Sequence, residues 1–309
     1  MKKRRAARTK SLSKKKSGGS SIAILGAGRV GSALARLWLD AGEDVQIIAS
    51  RRAARARAAA AFAGVRRSSG DYARAAAGAD RVILAVVDDA LPVVVQRLAL
   101  SHVNWRGKVV LHTSGYHGAD ALEVLARAGA KTGTLHPLMA VASPEEGLRR
   151  LPGAAFAIDG APKAVEVAGR LARAAGGWSL RIPPSARPSY HASAVLAANC
   201  LVALIDAAAD VMQRGGIPRR LALAALGPLV RGSVDNVLRL GPSRGLTGPI
   251  SRGDAATVKG HLEVLDGDIR EIYRALSRRM IALADKADPA TDRREVARLL
   301  GPAVPPKKK

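Results

Sequence analysis

The chain has 309 residues, 48% of them hydrophobic, which is enough for a buried core and for two domains. Its formal net charge at pH 7 is +25. Residues 1–20 contain nine basic residues and no acidic one, and the last three residues are also lysines. An aromatic content of 3% excludes a base-stacking platform for single-stranded nucleic acid. The single cysteine, Cys200, excludes an intrachain disulfide and makes a cytoplasmic setting the expected one.

Residues 1–20 and 301–309 are predicted to be basic tails outside the globular body. They contain few apolar side chains, so the first should be disordered, and both should make only weak, nonspecific, salt-sensitive contact with polyanions. The N-terminal stretch lacks the apolar segment of a secretory signal, and the longest apolar run, 192–205, is too short to span a bilayer. We therefore expect no membrane contact.

The body begins with a strand, a tight turn and a helix. Residues 22–25 are apolar and rich in β-branched side chains, and Val30, Leu34 and Trp38 follow with helical spacing. The turn between them has the pattern G-x-G-x-x-G, which permits a tight turn, close approach of a pyrophosphate and close packing of helix on strand. We expect a dinucleotide to bind here with its phosphates at the start of the helix, the alternative being a purely structural turn.

A second predicted strand, 45–49, leads to Ser50, Arg51 and Arg52, where an NAD-selective site keeps a carboxylate for the ribose 2′-hydroxyl. A hydroxyl and two guanidinium groups suit a 2′-phosphate instead, because arginine pairs bidentately with phosphate oxygens. The pattern therefore favours NADP(H) over NAD(H), unless the arginines only solvate a loop. The predicted cofactor-binding residues are Gly26, Ala27, Gly28, Arg29, Val30, Gly31, Ser50, Arg51, Arg52, Val86 and Ser114.

Further strands alternate with helices along the chain. Apolar runs at 81–87, 108–112 and 131–135 predict buried parallel strands in a doubly wound sheet. Ligands bind at the carboxyl ends of the strands in such sheets, so polar residues just after these runs can line one crevice. Three residues meet this condition: Asp88, Ser114 and His136.

The second half of the chain changes from strands to helices. A strand, helix and strand at 154–158, 162–175 and 178–182 should extend the same sheet. After Pro183 and Pro184 only helices are predicted, at 189–214, 219–240, 254–287 with a break near Gly267, and 292–300. The first of these helices is apolar nearly all round, which predicts burial between other helices, with Cys200 as a small core residue. The fold class is therefore α/β, a doubly wound Rossmann domain over 21–184 followed by an all-helical substrate and dimerisation domain over 185–300.

Several motifs occur together in this order. They are the glycine turn, Asp88-Asp89, His112-Thr113-Ser114-Gly115, His136-Pro137-Leu138, Tyr190-His191-Ala192 with Asn199, and LTGPISRGD at 246–254. In this combination, over about residues 21–290, the chain resembles the bacterial family that joins a Rossmann-like domain to a domain of unknown function.

That family belongs with a larger group of reductases and dehydrogenases. The group includes pyrroline-5-carboxylate reductase, ketopantoate reductase, 3-hydroxyisobutyrate dehydrogenase and the deazaflavin-coenzyme-dependent NADP reductases. The resemblance implies a nicotinamide-binding domain and a helical domain of the 6-phosphogluconate dehydrogenase C-terminal type, which commonly dimerises. The hydroxyacid dehydrogenases of the group carry a catalytic lysine four residues before a helix asparagine. Counting back from Asn199 gives Val195, so a proton donor must come from elsewhere.

Hydride transfer is the chemistry of the nicotinamide, and the protein must hold the substrate and stabilise or protonate the atom that gains charge. His136 is the first candidate donor, because histidine can donate at neutral pH, although it could simply cap the strand end. Tyr190 and His191 could face the cleft or form an ordinary helix start. Asn199 lies in an apolar helix and could bind substrate or another helix.

The segment 247–254 contains two glycines and a proline and leads into a helix. Arg252 could clamp a carboxylate or phosphate or form a structural ion pair, and Asp254 could contact substrate or cap the helix. The predicted catalytic residues are thus His136, His191 and Asn199, and the predicted substrate-binding residues are Tyr190, Thr247, Arg252 and Asp254.

The sequence predicts an NADP-dependent oxidoreductase, acting as a reductase of a small carbonyl or imine compound and forming a homodimer through its helical domain. No metal is expected, because the six histidines are scattered and there is no cysteine cluster. Two alternatives stay open: a non-catalytic NADP-binding regulatory protein, and a nucleic-acid-associated protein that uses the basic tails.

Overall fold

The computed structural model describes residues 20–302. The predicted tails at 1–20 and 301–309 lie almost wholly outside these residues. The described chain forms two compact units, one that ends at Leu196 and one that begins at Ala197.

A parallel sheet of six strands forms the centre of the first unit, in the order β3-β2-β1-β4-β5-β6. The strands are β1 (Ile22–Leu25), β2 (Val45–Ala49), β3 (Arg67–Ser69), β4 (Arg81–Leu84), β5 (Val109–His112) and β6 (Lys131–Thr134). Strands β1, β4 and β5 are buried along their whole length, as expected when helices cover both faces of a parallel sheet. This strand order is that of a dinucleotide-binding Rossmann fold, and the predicted fold class is confirmed.

Helices cover both faces of this sheet. They are α1 (Arg29–Asp40), α2 (Ala53–Ala63), α3 (Tyr72–Ala77), α4 (Leu91–Ala99), α5 (Glu123–Arg127) and α6 (Pro144–Arg150). Short 3-10 turns, Asp88–Ala90 and Ala119–Leu122, precede α4 and α5. Helix α1 places Trp38 in the core, where its indole N–H donates to the Leu171 carbonyl oxygen at 2.8 Å.

The predicted extension of the sheet is wrong in one respect. Strands β8 (Ala155–Ile158) and β9 (Trp178–Arg181) pair in parallel around helix α7 (Pro162–Ala174), as the pattern indicates. They form a separate sheet of three strands, because β7 (His136–Pro137) pairs antiparallel with β8. In the described chain, one isolated bridge, between Gly133 and Gly160, links the two sheets.

The rest of the chain is helical, as predicted. After a 3-10 turn at Pro184–Ala186 come α8 (Arg187–Arg214), α9 (Arg219–Leu240), α10 (Pro242–Gly245), α11 (Ala255–Val264), α12 (Gly267–Ala287) and α13 (Arg294–Leu300). The break expected near Gly267 is present, and this glycine has a φ of 49°, which favours a residue without a side chain.

Helix α8 is not buried within the chain, contrary to the prediction from its composition, and α9 is also largely exposed. Leu196, Val202 and Leu229 are all more than 60% exposed, and Asn199 and Cys200 are exposed as well. Both helices are long enough and apolar enough to cross a bilayer by length and composition alone, a test that core helices of soluble proteins also pass. The sequence analysis counted only the apolar run 192–205 and therefore underestimated the apolar length of α8. A helix that is apolar all round needs a cover, but its composition does not show whether that cover comes from its own chain or from another molecule.

Replacement of Trp38 by Phe should lower the free energy of unfolding by about 1–3 kcal/mol. The Leu171 carbonyl would lose the indole N–H and keep only the Ala175 amide as a donor, and the smaller ring would leave a cavity in the core. Urea unfolding measures the change. The matched control is Trp178→Phe on β9, which is 52% exposed and should shift stability by less than about 0.5 kcal/mol. Equal effects of the two substitutions would contradict the packing described.

Candidate active site

The glycine-rich turn at the end of β1 brings three backbone segments into contact. Gly26 has a φ of 127°, and a Cβ atom placed on it would lie 2.1 Å from the Ala85 carbonyl oxygen. A Cβ atom on Gly31 would lie 2.3 Å from the Gly26 carbonyl oxygen. The backbone packing of β1, α1 and the end of β4 therefore requires glycine at both positions.

Gly28 differs from the other two glycines. It is exposed, and a Cβ atom placed on it would meet nothing within 4 Å. It is also the N-cap of α1, and no side chain accepts from the first amides of that helix. Uncapped amides at the positive end of a helix dipole, beside an open backbone, form a ready site for phosphate groups. Ala27, Arg29 and Val30 complete this turn.

The end of β2 presents the predicted 2′-phosphate residues. Ser50 is buried, and its hydroxyl accepts weakly from the Arg52 amide at 3.4 Å. The side chains of Arg51 and Arg52 are exposed, and within residues 20–302 neither forms an ion pair. Their charges are thus available to an anion.

The residues that follow β4, β5 and β6 lie at one edge of the sheet. Asp88 is close enough for its charge to act on His136, and Val86 is half-buried just after β4. Ser114 is buried, and its hydroxyl accepts from the His117 amide at 3.0 Å. The Ser114 side chain therefore supports the turn after β5.

His136 and Tyr190 form a hydrogen-bonded pair. His136 Nδ1 lies 2.7 Å from the Tyr190 hydroxyl, with the two rings nearly perpendicular. Burial lowers the pKa of His136 to about 4, with the charges of Arg187 and His191 acting in the same direction. Burial raises the pKa of Tyr190 to about 12. Both side chains are therefore neutral at pH 7, and the pair can hold or release one proton.

Gly115 forms the wall against which the imidazoles rest. A Cβ atom on Gly115 would lie 2.8 Å from His136 Nε2 and 3.0 Å from His191 Cδ2. The His191 ring also packs edge-on against Tyr116, with the centroids 5.9 Å apart. The structure thus brings His136, Tyr190 and His191 together at one glycine.

His112 is a residue whose role the sequence analysis did not identify. It is fully buried; its Nδ1 accepts from the Ser114 amide at 3.2 Å, and its Nε2 is 2.9 Å from the Gly118 carbonyl oxygen. These partners fix the neutral tautomer with the proton on Nε2. Burial lowers the pKa of His112 to about 4. The imidazole clamps the turn that contains Ser114 and Gly115, and its position directly before Thr-Ser-Gly was the available signal.

Arg187 and Asp159 are also absent from the predicted set. Their buried side chains form an ion pair with Nη2 and Oδ2 2.6 Å apart, and Arg187 Nη2 also donates to the Thr134 hydroxyl. The other carboxylate oxygen of Asp159 accepts from the Ala119 amide at 3.2 Å. Arg187 lies between prolines, which predict only the end of an element. Its ion pair with an acid 28 positions earlier could not be predicted from the neighbouring residues.

The second unit contains the remaining predicted residues. Asp254 is the N-cap of α11, because its carboxylate accepts from the Thr257 amide at 3.1 Å. Thr247 and Arg252 are exposed, and no ion pair of Arg252 is present among the described residues. Buried Arg293 holds this loop by donating to the Ser251 carbonyl oxygen.

The sheet order and the open glycine turn at its switch point define a Rossmann-fold protein with an appended helical region. A family model described as a Rossmann-like domain matches residues 7–137. A second model, described as a domain of unknown function, DUF2520, matches residues 154–280. The two models match in the order that the resemblance implies, a Rossmann-like domain followed by DUF2520.

Solved structures with the same fold cover most of the chain. A provisionally named NADP oxidoreductase from Bacteroides fragilis is 21% identical with a TM-score of 0.69, covering 85% of this chain and 98% of its own. A reductive aminase from Aspergillus terreus, in complex with NADPH and ethyl levulinate, is 16% identical with a TM-score of 0.66, covering 88% and 99%. A pyrroline-5-carboxylate reductase from Coxiella burnetii is 16% identical with a TM-score of 0.57, covering 88% and 99%. None of the curated proteins compared with the chain matches it in sequence.

The free energy of unfolding should fall as the pH is lowered from 6.5 to 4. Unfolded histidine binds a proton near pH 6.5, whereas buried His112 binds one only near pH 4, so acid favours the unfolded chain throughout this window. His112 contributes a slope of up to about 1.4 kcal/mol per pH unit. In urea unfolding at several pH values, His112→Gln should make the decline shallower. The same substitution at exposed His102 should leave the slope unchanged; an unaltered slope in the His112 variant would contradict the assignment.

Proposed function

We propose that the protein is an NADP-dependent oxidoreductase that transfers a hydride between NADP(H) and a small carbonyl or imine compound. The observation that carries this proposal is the neutral His136–Tyr190 pair, held in the same unit as an uncapped, glycine-lined helix start. A phosphate-binding turn and a proton donor are the two parts that a nicotinamide-dependent reductase must supply.

The turn residues fit a dinucleotide, and the residues after β2 fit its NADP form. Gly26 to Gly31 would hold the pyrophosphate at the start of α1, and Ser50, Arg51 and Arg52 would bind the 2′-phosphate. No carboxylate follows β2 to receive the ribose hydroxyls of NAD. The Aspergillus terreus reductive aminase, which shares the fold, was solved with NADPH, which supports the same cofactor here.

The bound nicotinamide would supply or accept the hydride, and the protein's own residues would move the proton. With the Tyr190 hydroxyl donating to Nδ1, Nε2–H of His136 has no hydrogen-bond partner within residues 20–302 and would donate to the carbonyl oxygen or imine nitrogen. As the Nε2 proton leaves, the Tyr190 proton moves to Nδ1, so the imidazole stays neutral. The Arg187 guanidinium, 5.9 Å from the centre of the Tyr190 ring, stabilises the negative charge left on the phenol oxygen.

In this scheme His136 takes the place of the catalytic lysine of the hydroxyacid dehydrogenases, because Val195 stands at the position of that lysine. His191 contacts the same glycine as His136 and would orient the substrate. The catalytic role of Asn199 and the substrate-binding roles of Thr247 and Arg252 stay predictions, whereas the cap made by Asp254 explains that residue without a ligand.

NADPH should raise the melting temperature of the protein more than NADH at equal concentration, because a ligand that binds only the folded state stabilises it. Replacing Arg51 and Arg52 with Gln should weaken NADPH binding about tenfold or more and leave NADH binding nearly unchanged, because only NADPH presents a 2′-phosphate. Replacing exposed Arg97 and Arg106 with Gln removes the same charge elsewhere and should change neither. Equal stabilisation of the wild-type protein by both cofactors would contradict the proposed preference for NADPH.

His136→Asn should lower kcat for NADPH-dependent reduction by about 10²- to 10⁴-fold, the usual effect of removing a general acid. Tyr190→Phe should lower it less, because the imidazole keeps its own proton but loses the relay. His102→Asn is the matched control, and NADPH affinity should stay unchanged in all three variants. Since the neutral imidazole is the active form, His136 should add no limb to the pH profile near 6.5, only an acid limb near pH 4. A kcat that survives His136→Asn would exclude the role given to this residue.

We also propose that a second copy of the chain covers α8 and α9, giving a cytoplasmic homodimer formed through the helical domain. The support is the row of large apolar side chains that the described chain leaves uncovered on these helices. Val202→Glu and Leu229→Glu, at residues 69% and 65% exposed, should each shift the mass in light scattering from dimer to monomer. Val93→Glu on α4, also exposed, is the control. A wild-type monomer, or wild-type protein that pellets with phospholipid vesicles, would contradict the dimer.

A further inference from the structure

Arginine is concentrated at one edge of the six-stranded sheet. The residues concerned lie on α2, on the edge strand β3, on α3 and in the loops beside these elements, and every one of them is exposed. We define them together as the basic face. Its seven members are Arg51, Arg52, Arg55, Arg57, Arg66, Arg67 and Arg74.

The elements that carry the basic face pack against one another. Both α2 and α3 contact β3. A Cβ atom on Gly70 would lie 3.6 Å from the Ala53 Cβ atom, so the end of β3 lies against the first turn of α2. Arg67 pairs with Ile47, four residues before Arg51, which separates the two arginines by about 13 Å along the strand direction. The basic face is therefore longer than a single phosphate group, and an anion that covers it must carry several charges in a row.

Few acids balance these charges. Asp71 is the only acid within residues 50–79, and its carboxylate caps α3 by accepting from the first amides of that helix. On α1, which packs against α2, Asp40 is paired with Arg36. In the part of the chain that the structure describes, no ion pair includes an arginine of the basic face. A polyanion would relieve the repulsion among these like charges.

The chemistry of the basic face favours a nucleic acid over a protein or a lipid surface. Protein interfaces and membrane-inserting surfaces need large apolar side chains, and no exposed large hydrophobic residue lies within residues 50–79. Interfaces with nucleic acids are instead polar and strongly positive, and arginine pairs with phosphate through two N–H groups. Charged side chains on an edge strand also prevent unwanted strand pairing, but this explains only the two arginines at the start of β3.

We propose that the basic face binds the phosphate backbone of a nucleic-acid duplex. Arg51 and Arg52 are also the residues proposed to bind the 2′-phosphate of NADP(H), so the duplex and this cofactor compete for them. The competition rests on the proposed function, whereas the binding of the duplex does not.

Fluorescence anisotropy of a short labelled DNA duplex with the full chain, at several salt concentrations, tests the binding. The basic tails also attract DNA, so the quantity compared between variants is the slope of log affinity against log salt concentration. Replacing Arg57, Arg66 and Arg67 with Gln should lower this slope by about two to three, because each phosphate contact contributes about 0.9. None of the three side chains is buried or paired within residues 20–302, so the melting temperature should stay close to that of the wild type.

The matched control removes the same charge from other elements of the first unit. It replaces Arg97, Arg106 and Arg173, which are also exposed, with Gln, and the slope should fall by less than about one. An equal change of slope in the two triple variants would overturn the proposal.

Poly-glutamate and vesicles containing phosphatidylserine distinguish nucleic acid from an acidic protein or a lipid surface. The variant of the basic face and the control variant should bind each of these probes alike. If the variant of the basic face loses binding to either probe while its slope with DNA equals that of the control, the face belongs to another class of partner and the proposal is refuted.

Saturating NADPH should weaken the binding of the duplex severalfold, whereas NADH should not, because only NADPH presents a 2′-phosphate to Arg51 and Arg52. Thermal stabilisation shows when the cofactor is bound. Unchanged duplex affinity with NADPH bound would refute the shared site. If NADPH does not bind at all, the proposed cofactor fails, and the comparison of slopes still decides whether the basic face binds the duplex.

Discussion

The buried ion pair between Arg187 and Asp159 is the interaction on which the candidate site depends. It joins the end of β8 to the first turn of α8, and through Thr134 and the Ala119 amide it reaches the end of β6 and the 3-10 turn before α5. Loss of one partner would leave an uncompensated buried charge, at a cost of about 3–5 kcal/mol. Because Tyr190 stands one turn after Arg187 on α8, the same pair sets where the phenol meets His136.

Burial gives the site its chemistry as well as its shape. Two imidazoles and a phenol lie where charge is disfavoured, and a fixed guanidinium stands beside them. Neutral side chains that share a proton near a permanent cation can respond to charge that develops during a reaction. The start of α1 has the opposite character, because Gly28 is exposed, no side chain caps the helix, and Arg51 and Arg52 after β2 form no ion pair within residues 20–302. One unit thus contains an exposed, uncapped helix start and a drier, hydrogen-bonded pair of neutral side chains.

The sequence predicted the parts of the fold that follow from local pattern. Continuous apolar runs marked β1, β4 and β5, and the glycine spacing marked the turn. Residues brought together by distant pairing were missed: Arg187 with Asp159, and the antiparallel pairing of the two-residue strand β7 with β8, which separates β8 and β9 from the main sheet. The exposure of α8 was also misjudged, because composition shows that an apolar helix needs a cover without showing whether that cover belongs to its own chain. Within the candidate site, His136, Tyr190 and His191 could be named from the sequence, whereas His112, Arg187 and the role of Gly115 required coordinates.

Gly115 has a consequence for how such a site can evolve. The wall behind the imidazoles is bare backbone, and any side chain there would occupy space already filled by His136 and His191. A side chain at this position would therefore displace one of the two imidazoles, whatever compound the protein acts on. Its neighbour Tyr116 is largely exposed and carries no such restriction. Divergence of specificity among related chains should accumulate beside this glycine, on the rim, while the spacing of the proton-holding groups stays fixed.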